Sequence, residues 1–251
     1  MTRSVCVCLF SGGIDSCLSA VLSKKEHSDI FLLSVNYGQV MQKELAAACE
    51  LAEYIGAKEH RTVQIVGFEE ISRSARTHEA LIERNRGGAL ADGQVPSAYP
   101  PGRDFTFLSM AGAWAESVVL SDPEMYDQAS IVIGTNRTDG LDYPDCQKRV
   151  YELFSNMLTE SLKMSKVLGK RISVDTPLIT LTKQEVVALG YKVGIPLKLT
   201  WSCYYGRERA CGVCDACRIR YWAFRASGLN DPIKYEVKEV IPLYAFDHVT
   251  A

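Results

Sequence analysis

The sequence predicts an α/β protein built on a Rossmann-like parallel sheet with helices on both faces, followed by a small C-terminal four-cysteine zinc segment. Three observations predict this fold. Short apolar runs alternate with amphipathic helical patterns, and such alternation gives parallel strands joined by crossover helices. A Gly-Gly turn follows the first apolar run, at the edge where parallel sheets bind ligands. Four cysteines then lie within fifteen residues near the C-terminus.

The elements follow in chain order from these patterns. The predicted strands cover residues 5–10, 30–36, 62–66, 130–134 and 172–174. The predicted helices cover residues 15–25, 40–55, 105–119, 151–168 and 182–189. Gly56 is a typical helix terminator, and Thr182 with Glu185 has the capping-box pattern. Residues 67–103 break the alternation with a polar, Gly- and Pro-rich stretch, which is typical of a functional lid or a disordered loop.

Ligands of an open parallel sheet bind beyond the carboxyl ends of the strands. The predicted loops at that edge are residues 11–16, 37–42, 135–145 and 176–183. We therefore expect these four loops to converge on one site.

Composition narrows the class of protein. The 251 residues suffice for one large domain or a domain with an appendage. A net charge of −2 gives no overall basic field for nucleic acid. No apolar run approaches membrane-span length, and the N-terminus lacks a signal-peptide pattern, so a cytoplasmic location is expected. Because the cytosol keeps thiols reduced, the nine cysteines need a reason other than disulfides.

The turn after the first strand is the strongest functional signal. Residues 9–16 have the sequence Leu-Phe-Ser-Gly-Gly-Ile-Asp-Ser, which brings backbone N–H groups and a helix N-terminus together around an anion such as phosphate. No Gly-Lys-Ser/Thr follows, and the further glycines of a dinucleotide site are missing. The alternative is a Gly-rich turn without a ligand.

The C-terminal cysteines have the spacing of a metal site. Cys203, Cys211, Cys214 and Cys217 offer four thiolates, as a tetrahedral structural zinc ion requires. An iron–sulfur cluster is the alternative, although Arg218 stands where such runs often carry a proline.

The remaining cysteines are scattered. Cys6, Cys8 and Cys49 lie in apolar patterns and are predicted to be buried small hydrophobes. Cys146 lies in a predicted site loop, where it is a candidate site residue. The alternative interpretation is that its thiol is only packed in the core and has no role in the site.

Three further segments complete a family pattern. They are Pro-Gly-Arg-Asp-Phe-Thr-Phe-Leu-Ser at 101–109, Ile-Gly-Thr-Asn-Arg-Thr-Asp at 133–139 with Tyr-Pro-Asp-Cys at 143–146, and Thr-Trp-Ser-Cys-Tyr at 200–204. With the Gly-Gly turn and the four cysteines, they resemble the 7-cyano-7-deazaguanine synthase family of the N-type ATP pyrophosphatase superfamily. The resemblance implies an adenine nucleotide alpha hydrolase-like fold and a cytoplasmic ligase of queuosine biosynthesis.

The implied reaction converts 7-carboxy-7-deazaguanine and ammonia to 7-cyano-7-deazaguanine through an adenylated carboxylate and an amide. The implied cofactors are ATP with Mg²⁺ and a structural zinc ion. The implied domains are residues 1–198 for nucleotide and substrate, and residues 199–251 for the zinc segment with its tail. The implied partners are these small molecules and, since family members often associate, a second copy in a homodimer.

The resemblance also assigns site residues by position. The implied ATP-binding residues are Phe10, Ser11, Gly12, Gly13, Asp15, Ser16, Asn36 and Gly134. The implied catalytic residues are Asp15, as a magnesium ligand, with Lys183 and Arg103; the implied substrate residues are Asp139, Tyr143, Asp145 and Cys146. The alternatives are a solvated first-turn lysine for Lys183 and a surface arginine for Arg103. Phe105 and Phe107 are predicted to lie in the core.

The sequence departs from the family pattern at some positions. Asp104 stands where the family has Asn, and Asn36 stands where it has Asp, followed by fewer basic residues; residues 138–142 also differ. These departures leave one alternative open beside the leading reaction, a relative that transfers the activated acyl group to a protein or nucleic-acid amine.

A further alternative is a zinc-ribbon binding module on an inactive nucleotide fold, which the intact turn at 11–16 disfavours. Arg218, Arg220 and Arg225 form a basic stripe, which we interpret as a solvated helix face rather than a nucleic-acid surface.

Overall fold

The computed structural model describes residues 3–85 and 94–241. Its central sheet has five strands, all parallel, in the order β3-β2-β1-β4-β5. The strands are β1 (Arg3–Leu9), β2 (Asp29–Asn36), β3 (Glu59–Gln64), β4 (Tyr126–Val132) and β5 (Arg171–Asp175). The parallel sheet predicted from the sequence is therefore confirmed.

The burial of each strand explains how well its position is predicted from the sequence. Residues 4–8 of β1 and residues 29–35 of β2 are buried on both faces, as strands of a covered parallel sheet must be. β3 is an edge strand with only intermediate or exposed residues. The prediction placed this strand at 62–66, because Glu59, His60 and Arg61 carry no apolar signal.

The helices cover both faces of the sheet. They are α1 (Ile14–Ser23), α2 (Lys43–Ile55), α3 (Phe68–Ile71), α4 (Arg103–Ser121), α5 (Arg137–Asp142), α6 (Lys148–Ser161), α7 (Lys163–Lys166), α8 (Lys183–Val193) and α9 (Asp215–Ala226). Gly56 ends α2 in the left-handed conformation with φ 62°, and the capping box of Thr182 and Glu185 begins α8, both as predicted.

The predicted helix at 151–168 is wrong in one respect, because it is two helices. Leu162 has an extended backbone with φ −85° and ψ 139° between α6 and α7. The break turns Met164 into the core, where it is fully buried and its N–H donates to Glu116 Oε1 at 2.9 Å. Tertiary packing thus overrides a continuous helical pattern.

Two apolar clusters sandwich the sheet. Cys6 and Cys8 of β1 face α1, α2, α8 and α9, whereas Val5 and Val7 face α4 and α6. The alternation follows from successive strand side chains pointing to opposite faces. It confirms the predicted burial of Cys6 and Cys8 and the predicted helices on both faces.

Two predictions of burial are wrong. Cys49 is exposed, because it lies off the face of α2 that buries Ala48, Leu51 and Ala52. Phe105 is 43% exposed, since α4 buries Asp104, Leu108 and Ala111 on one face and Phe105 lies outside that face. Phe107 is partly buried, as predicted, with its ring 5.3 Å from that of Tyr37.

The predicted solvated stripe on α9 is wrong for two of its three arginines. Arg218 and Arg220 are 4% and 1% exposed, whereas Arg225 is exposed. Arg220 donates to both carboxylate oxygens of Asp231, at 2.8 and 3.0 Å, and to the carbonyl of Leu197 at 3.1 Å. Asp231 follows α9 and Leu197 precedes it, so the sequence pattern of α9 does not reveal these acceptors.

The predicted loop at 67–103 contains α3 and a 3₁₀ turn at Glu79–Leu81, and it packs Ala75 and Ala98 against the four-cysteine segment. Residues 86–93 of this loop and 242–251 of the predicted tail lie outside the described residues. Among residues 3–85 and 94–241, no helix combines the length and apolar character needed to span a membrane.

Candidate active site and four-cysteine centre

A cavity of about 260 Å³ opens at the carboxyl edge of the sheet. Each of the four loops predicted to converge contributes to its wall, through residues that include Ser11, Tyr37, Thr135 and Lys183. The convergence predicted from strand order is therefore confirmed. Segments outside those loops also contribute, among them Arg76 and Tyr204.

The turn after β1 requires its first glycine. Gly12 has φ +85°, and a Cβ there would lie 2.3 Å from the carbonyl oxygen of Glu44 and 2.7 Å from the amide nitrogen of Ala48. Its own carbonyl accepts a hydrogen bond of 3.0 Å from the N–H of Trp201. The turn is thus held between α2 and the segment that leads into the four cysteines.

The serines of the turn bond to each other and to its backbone. Ser16 Oγ donates to the carbonyl of Gly13 at 3.2 Å and lies 3.3 Å from Ser11 Oγ. Gly13 precedes the ten-residue helix α1 and provides no side-chain cap. The first N–H groups of α1 are consequently available to an anion, which the helix dipole also favours.

Asp15 is held by one cation and one amide. Its carboxylate forms an ion pair with Lys183 and accepts a hydrogen bond of 3.2 Å from Asn136 Nδ2. The Lys183 side chain is only 12% exposed, so the alternative of a solvated first-turn lysine is wrong. Gly134 packs beside this group, since a Cβ there would lie 2.8 Å from the carbonyl carbon of Asp15.

Asn136 connects Asp15 to Asp139. It begins α5 with a capping box, in which its Oδ1 accepts from the N–H groups of Thr138 and Asp139 and its own N–H donates to Asp139 Oδ2 at 3.0 Å. Burial and the nearby Asp15 raise the pKa of Asp139 to about 6, against the opposing charge of Lys183. Sequence reasoning missed Asn136, although an Asn shortly after a strand with Asp three residues later is a capping signal.

Arg103 and Asp104 form a second charged group on the cavity wall. Arg103 Nε donates to Asp104 Oδ1 at 2.8 Å, and Cys146 Sγ donates to Asp104 Oδ2 at 3.7 Å. The Arg103 side chain is 20% exposed and lines the cavity, so the surface-arginine alternative is wrong. Burial and the neighbouring carboxylates raise the pKa of the Cys146 thiol, which keeps it protonated.

Most of the predicted site residues meet at this cavity. Those on its wall are Phe10, Ser11, Gly13, Asp15, Ser16, Arg103, Gly134, Asp139, Tyr143, Cys146 and Lys183. Three others are not on the wall. Gly12 packs against α2, Asn36 accepts from the N–H of Gly38 at 3.4 Å, and Asp145 is buried beside Asp104 and Cys146.

Glu44 on α2 is a wall residue that the sequence did not reveal. Its carboxylate lies near the guanidinium groups of Arg76 and Arg103 and accepts from Gln39 Nε2 at 3.5 Å. Burial raises the pKa of Glu44 to about 7, and the two arginines oppose that rise. Its position in the first turn of an amphipathic helix gives no signal that it faces a site.

The four C-terminal cysteines come together as predicted. The sulfur atoms of Cys203, Cys211, Cys214 and Cys217 lie within 4.8 Å of one another, and all four residues are buried. Cys211 Sγ is 3.9 Å from Cys217 Sγ, close to the edge of about 3.8 Å expected for a tetrahedron of thiolates around one ion. The N–H groups of Cys211 and Cys214 also point to sulfur atoms at 3.3 Å. The cluster is suited to hold a metal ion.

The parallel sheet with a Ser-Gly-Gly-x-Asp-Ser turn at the end of β1 defines the class, the PP-loop ATP pyrophosphatases. Within that class, residues 5–228 match the family model QueC, described as queuosine biosynthesis protein QueC. The chain belongs to this family.

Similar proteins span nearly the same length. A 7-cyano-7-deazaguanine synthase from Acidobacterium capsulatum is 38% identical over 232 residues, covering 91% of this chain and 95% of the relative. Proteins of the same name from Picrophilus torridus and Thermoplasma acidophilum are 36% and 34% identical, each covering 94% of this chain, and 92% and 94% of the respective relative.

Proposed function

We propose that this protein converts 7-carboxy-7-deazaguanine, ammonia and ATP to 7-cyano-7-deazaguanine. The observation that carries the proposal is that the Ser-Gly-Gly-x-Asp-Ser turn and the Tyr143–Cys146 loop line one cavity. The relatives named for this reaction support it across nearly the whole chain.

The first half of the reaction activates a carboxylate, whose oxide is a poor leaving group. A carboxylate oxygen attacks the α-phosphorus of ATP and pyrophosphate leaves. Ammonia then attacks the acyl carbon, AMP leaves, and a proton is lost, which gives the amide. The chain's contribution is to position the reactants and to stabilise developing charge.

The second half removes the remaining oxygen. The amide oxygen attacks the α-phosphorus of a second ATP and pyrophosphate leaves again. Loss of AMP and of the two amide N–H protons forms the carbon–nitrogen triple bond. Both halves therefore use the same phosphate-binding turn and differ in the charge of the group that attacks.

The phosphate end of the site is built from three elements in this proposal. The N–H groups of the turn at 11–16 and of the first turn of α1 bind phosphate oxygens. Asp15 holds Mg²⁺, which when bound neutralises phosphate charge. Lys183 lies beside Asp15 and stabilises the departing pyrophosphate. Phe10 and Gly134 shape the adjoining wall, and Asn36 takes part through the loop that it holds after β2.

The substrate end combines aromatic walls with polar groups. Tyr143 stacks on Tyr99 with ring centroids 5.9 Å apart and an angle of 26° between the ring planes, and Cys146 adds a protonated thiol. Asp139 accepts N–H groups of the guanine-like edge. Asp145, behind the wall with Asp104 and Cys146, supports this loop, and Arg103 pairs with a phosphate or the substrate carboxylate.

Zinc is the proposed ion of the four cysteines. Four thiolates within 4.8 Å of one another suit a single ion, whereas an iron–sulfur cluster places several metal atoms between its ligands and spreads them farther apart. Because all four ligands come from the protein, the ion stabilises the fold and takes no part in catalysis. We likewise propose a domain boundary between residues 198 and 199. We also propose that the protein is cytoplasmic and forms a homodimer.

The transfer of the acyl group to a protein or nucleic-acid amine finds no support among the relatives. The zinc-ribbon alternative requires an inactive nucleotide fold, whereas Lys183 and Asn136 meet Asp15 beside an intact turn.

One incubation tests the proposed function. The purified protein is mixed with ATP, Mg²⁺, 7-carboxy-7-deazaguanine and ammonium, and the products are identified by mass spectrometry. The expected products are the nitrile and two AMP per nitrile. Release of AMP with only the amide would show that the second half is missing, and the absence of AMP would overturn the proposal.

A further inference from the structure

Arg76 lies on the cavity wall in the segment between α3 and the 3₁₀ turn. Its backbone is fixed on both sides, because its carbonyl accepts from the N–H of Val40 at 2.8 Å and its N–H donates to Ser74 Oγ at 3.2 Å. Its guanidinium is fixed too. Nε donates to the carbonyl of Ala98 at 3.1 Å, and the guanidinium lies over the Tyr204 ring, 5.1 Å from its centroid.

The two arginines of the wall differ in their partners. Arg103 bonds to the carboxylate of Asp104 through Nε and Nη2. The Glu44 carboxylate is near Arg76, but among the described residues no carboxylate lies within the 4.0 Å of an ion pair with Arg76. The terminal nitrogens of Arg76 donate to no acceptor among those residues. Arg76 therefore presents an oriented guanidinium to the cavity with hydrogen-bonding capacity to spare.

The surroundings of Arg76 suit a flat anion. Tyr204 is 7% exposed, and it lines the cavity together with Tyr143 and Tyr37. These rings provide apolar faces for a planar heterocycle. A guanidinium fork beside them matches the planar, two-oxygen geometry of a carboxylate.

We infer that Arg76 is a specificity-determining residue that binds the carboxylate of the substrate during the first activation. The inference rests on the proposed function and assigns one of its steps to a residue. Arg76 donates to the carboxylate while one oxygen keeps a lone pair for the α-phosphorus of ATP. The amide is neutral, and its NH₂ group is a hydrogen-bond donor for which a guanidinium offers no acceptor. Arg76 therefore favours the acid over the amide.

The other anion available to Arg76 is a phosphate of ATP. The contacts given above are with Ala98 and Tyr204, and none is with the turn at 11–16. A phosphate role predicts equal losses in both halves of the reaction, since both consume ATP. A carboxylate role predicts a loss in the first half only.

The test compares the affinities for 7-carboxy-7-deazaguanine and for its amide by titration calorimetry without ATP. The variants are Arg76→Leu and Arg76→Lys, and Arg73→Leu is the matched control, because Arg73 is exposed in the same segment. Unmodified protein is expected to bind the acid more tightly than the amide. Arg76→Leu is expected to lose about 10- to 100-fold of affinity for the acid and less than about threefold for the amide. Arg76→Lys keeps the positive charge, so its affinity for the acid should lie between those of the unmodified protein and Arg76→Leu.

Equal losses for acid and amide in Arg76→Leu, or a raised KM for ATP alone, would overturn the inference. Circular dichroism and metal content establish whether the variants are folded. If Arg76→Leu does not fold, the affinities of Arg76→Lys for the acid and the amide provide the test instead. If unmodified protein binds the acid with an Arg76-dependent preference but releases no AMP, the proposed function fails, whereas the assignment of Arg76 to the carboxylate stands. If unmodified protein does not bind the acid, both fail.

Discussion

The Asp15 carboxylate accepts a hydrogen bond of 3.2 Å from Asn136 Nδ2, which joins the turn after β1 to the loop after β4. Asn136 is 1% exposed and also caps α5. One side chain thus fixes both the proposed magnesium ligand and the start of the substrate loop.

Replacing Asn136 by Ser is expected to lower kcat about tenfold, because the serine hydroxyl can cap α5 but does not reach Asp15. The comparison variant is Asn136→Ala, which loses the cap as well and is expected to melt at a lower temperature than Asn136→Ser. The rate of AMP release at saturating ATP and the melting temperature separate the two effects. A normal kcat in Asn136→Ser would show that the bond to Asp15 is dispensable.

Lys183→Ala is expected to lower kcat/KM for ATP about 100-fold or more, since it removes the cation proposed to stabilise the departing pyrophosphate. The matched control is Lys192→Ala, an exposed lysine of the same helix. Pyrophosphate release at varied ATP concentrations measures the effect. Similar kinetics in the two lysine variants would contradict the assignment of Lys183.

Cys214→Ser is expected to lose the metal ion and to lower the melting temperature, because structural zinc contributes directly to folding. Elemental analysis should find about one zinc ion per chain in the unmodified protein. Cys49→Ser is the matched control, as Cys49 is an exposed thiol away from the cluster. Iron with sulfide in place of zinc would overturn the proposed ion.

Asp139 is expected to make the folded state less stable as pH rises. Its carboxyl has a pKa of about 6 in the folded protein and 3.8 ordinarily, so between these values the folded state holds a proton that the unfolded state has released. The free energy of unfolding therefore falls as pH rises through this window. Asp139→Asn removes this contribution, and urea unfolding of both proteins at pH 4 and pH 7 measures it.

Glu44→Gln provides the comparison. Glu44 has a pKa of about 7 against an ordinary 4.5, so its effect on the free energy of unfolding extends to a higher pH than that of Asp139. Asp139→Asn should flatten the pH dependence mainly below pH 6, and Glu44→Gln should flatten it up to pH 7. An unchanged slope in Asp139→Asn would contradict the raised pKa.

The sequence predicted those parts of the molecule whose signal is local. β1 and β2 are buried on both faces and therefore have continuous apolar runs, and the turn at 11–16 requires its own glycines and serines. β3 was misplaced because an edge strand buries little. The helix pattern at 151–168 continued through Leu162 because its break depends on where Met164 packs.

The site residues that were missed depend on contacts distant in sequence. Arg76 and Glu44 reach the cavity from segments with no phosphate or substrate motif, and only the fold brings them to Arg103. Arg220 was assigned to a solvated face because its partner Asp231 lies in an irregular segment without periodicity. Motifs identify the chemistry of this chain, whereas Arg76 and Glu44 are brought to the cavity wall by tertiary packing.

The hydrogen bond from Trp201 to the carbonyl of Gly12 also has a temporal consequence. A chain is synthesised from its N-terminus, and its parts fold as they emerge. Gly12 and Trp201 are 189 positions apart in the chain, so the turn at 11–16 is synthesised well before the residue that donates this hydrogen bond. A nascent chain therefore lacks this support of the turn until residue 201 has been added.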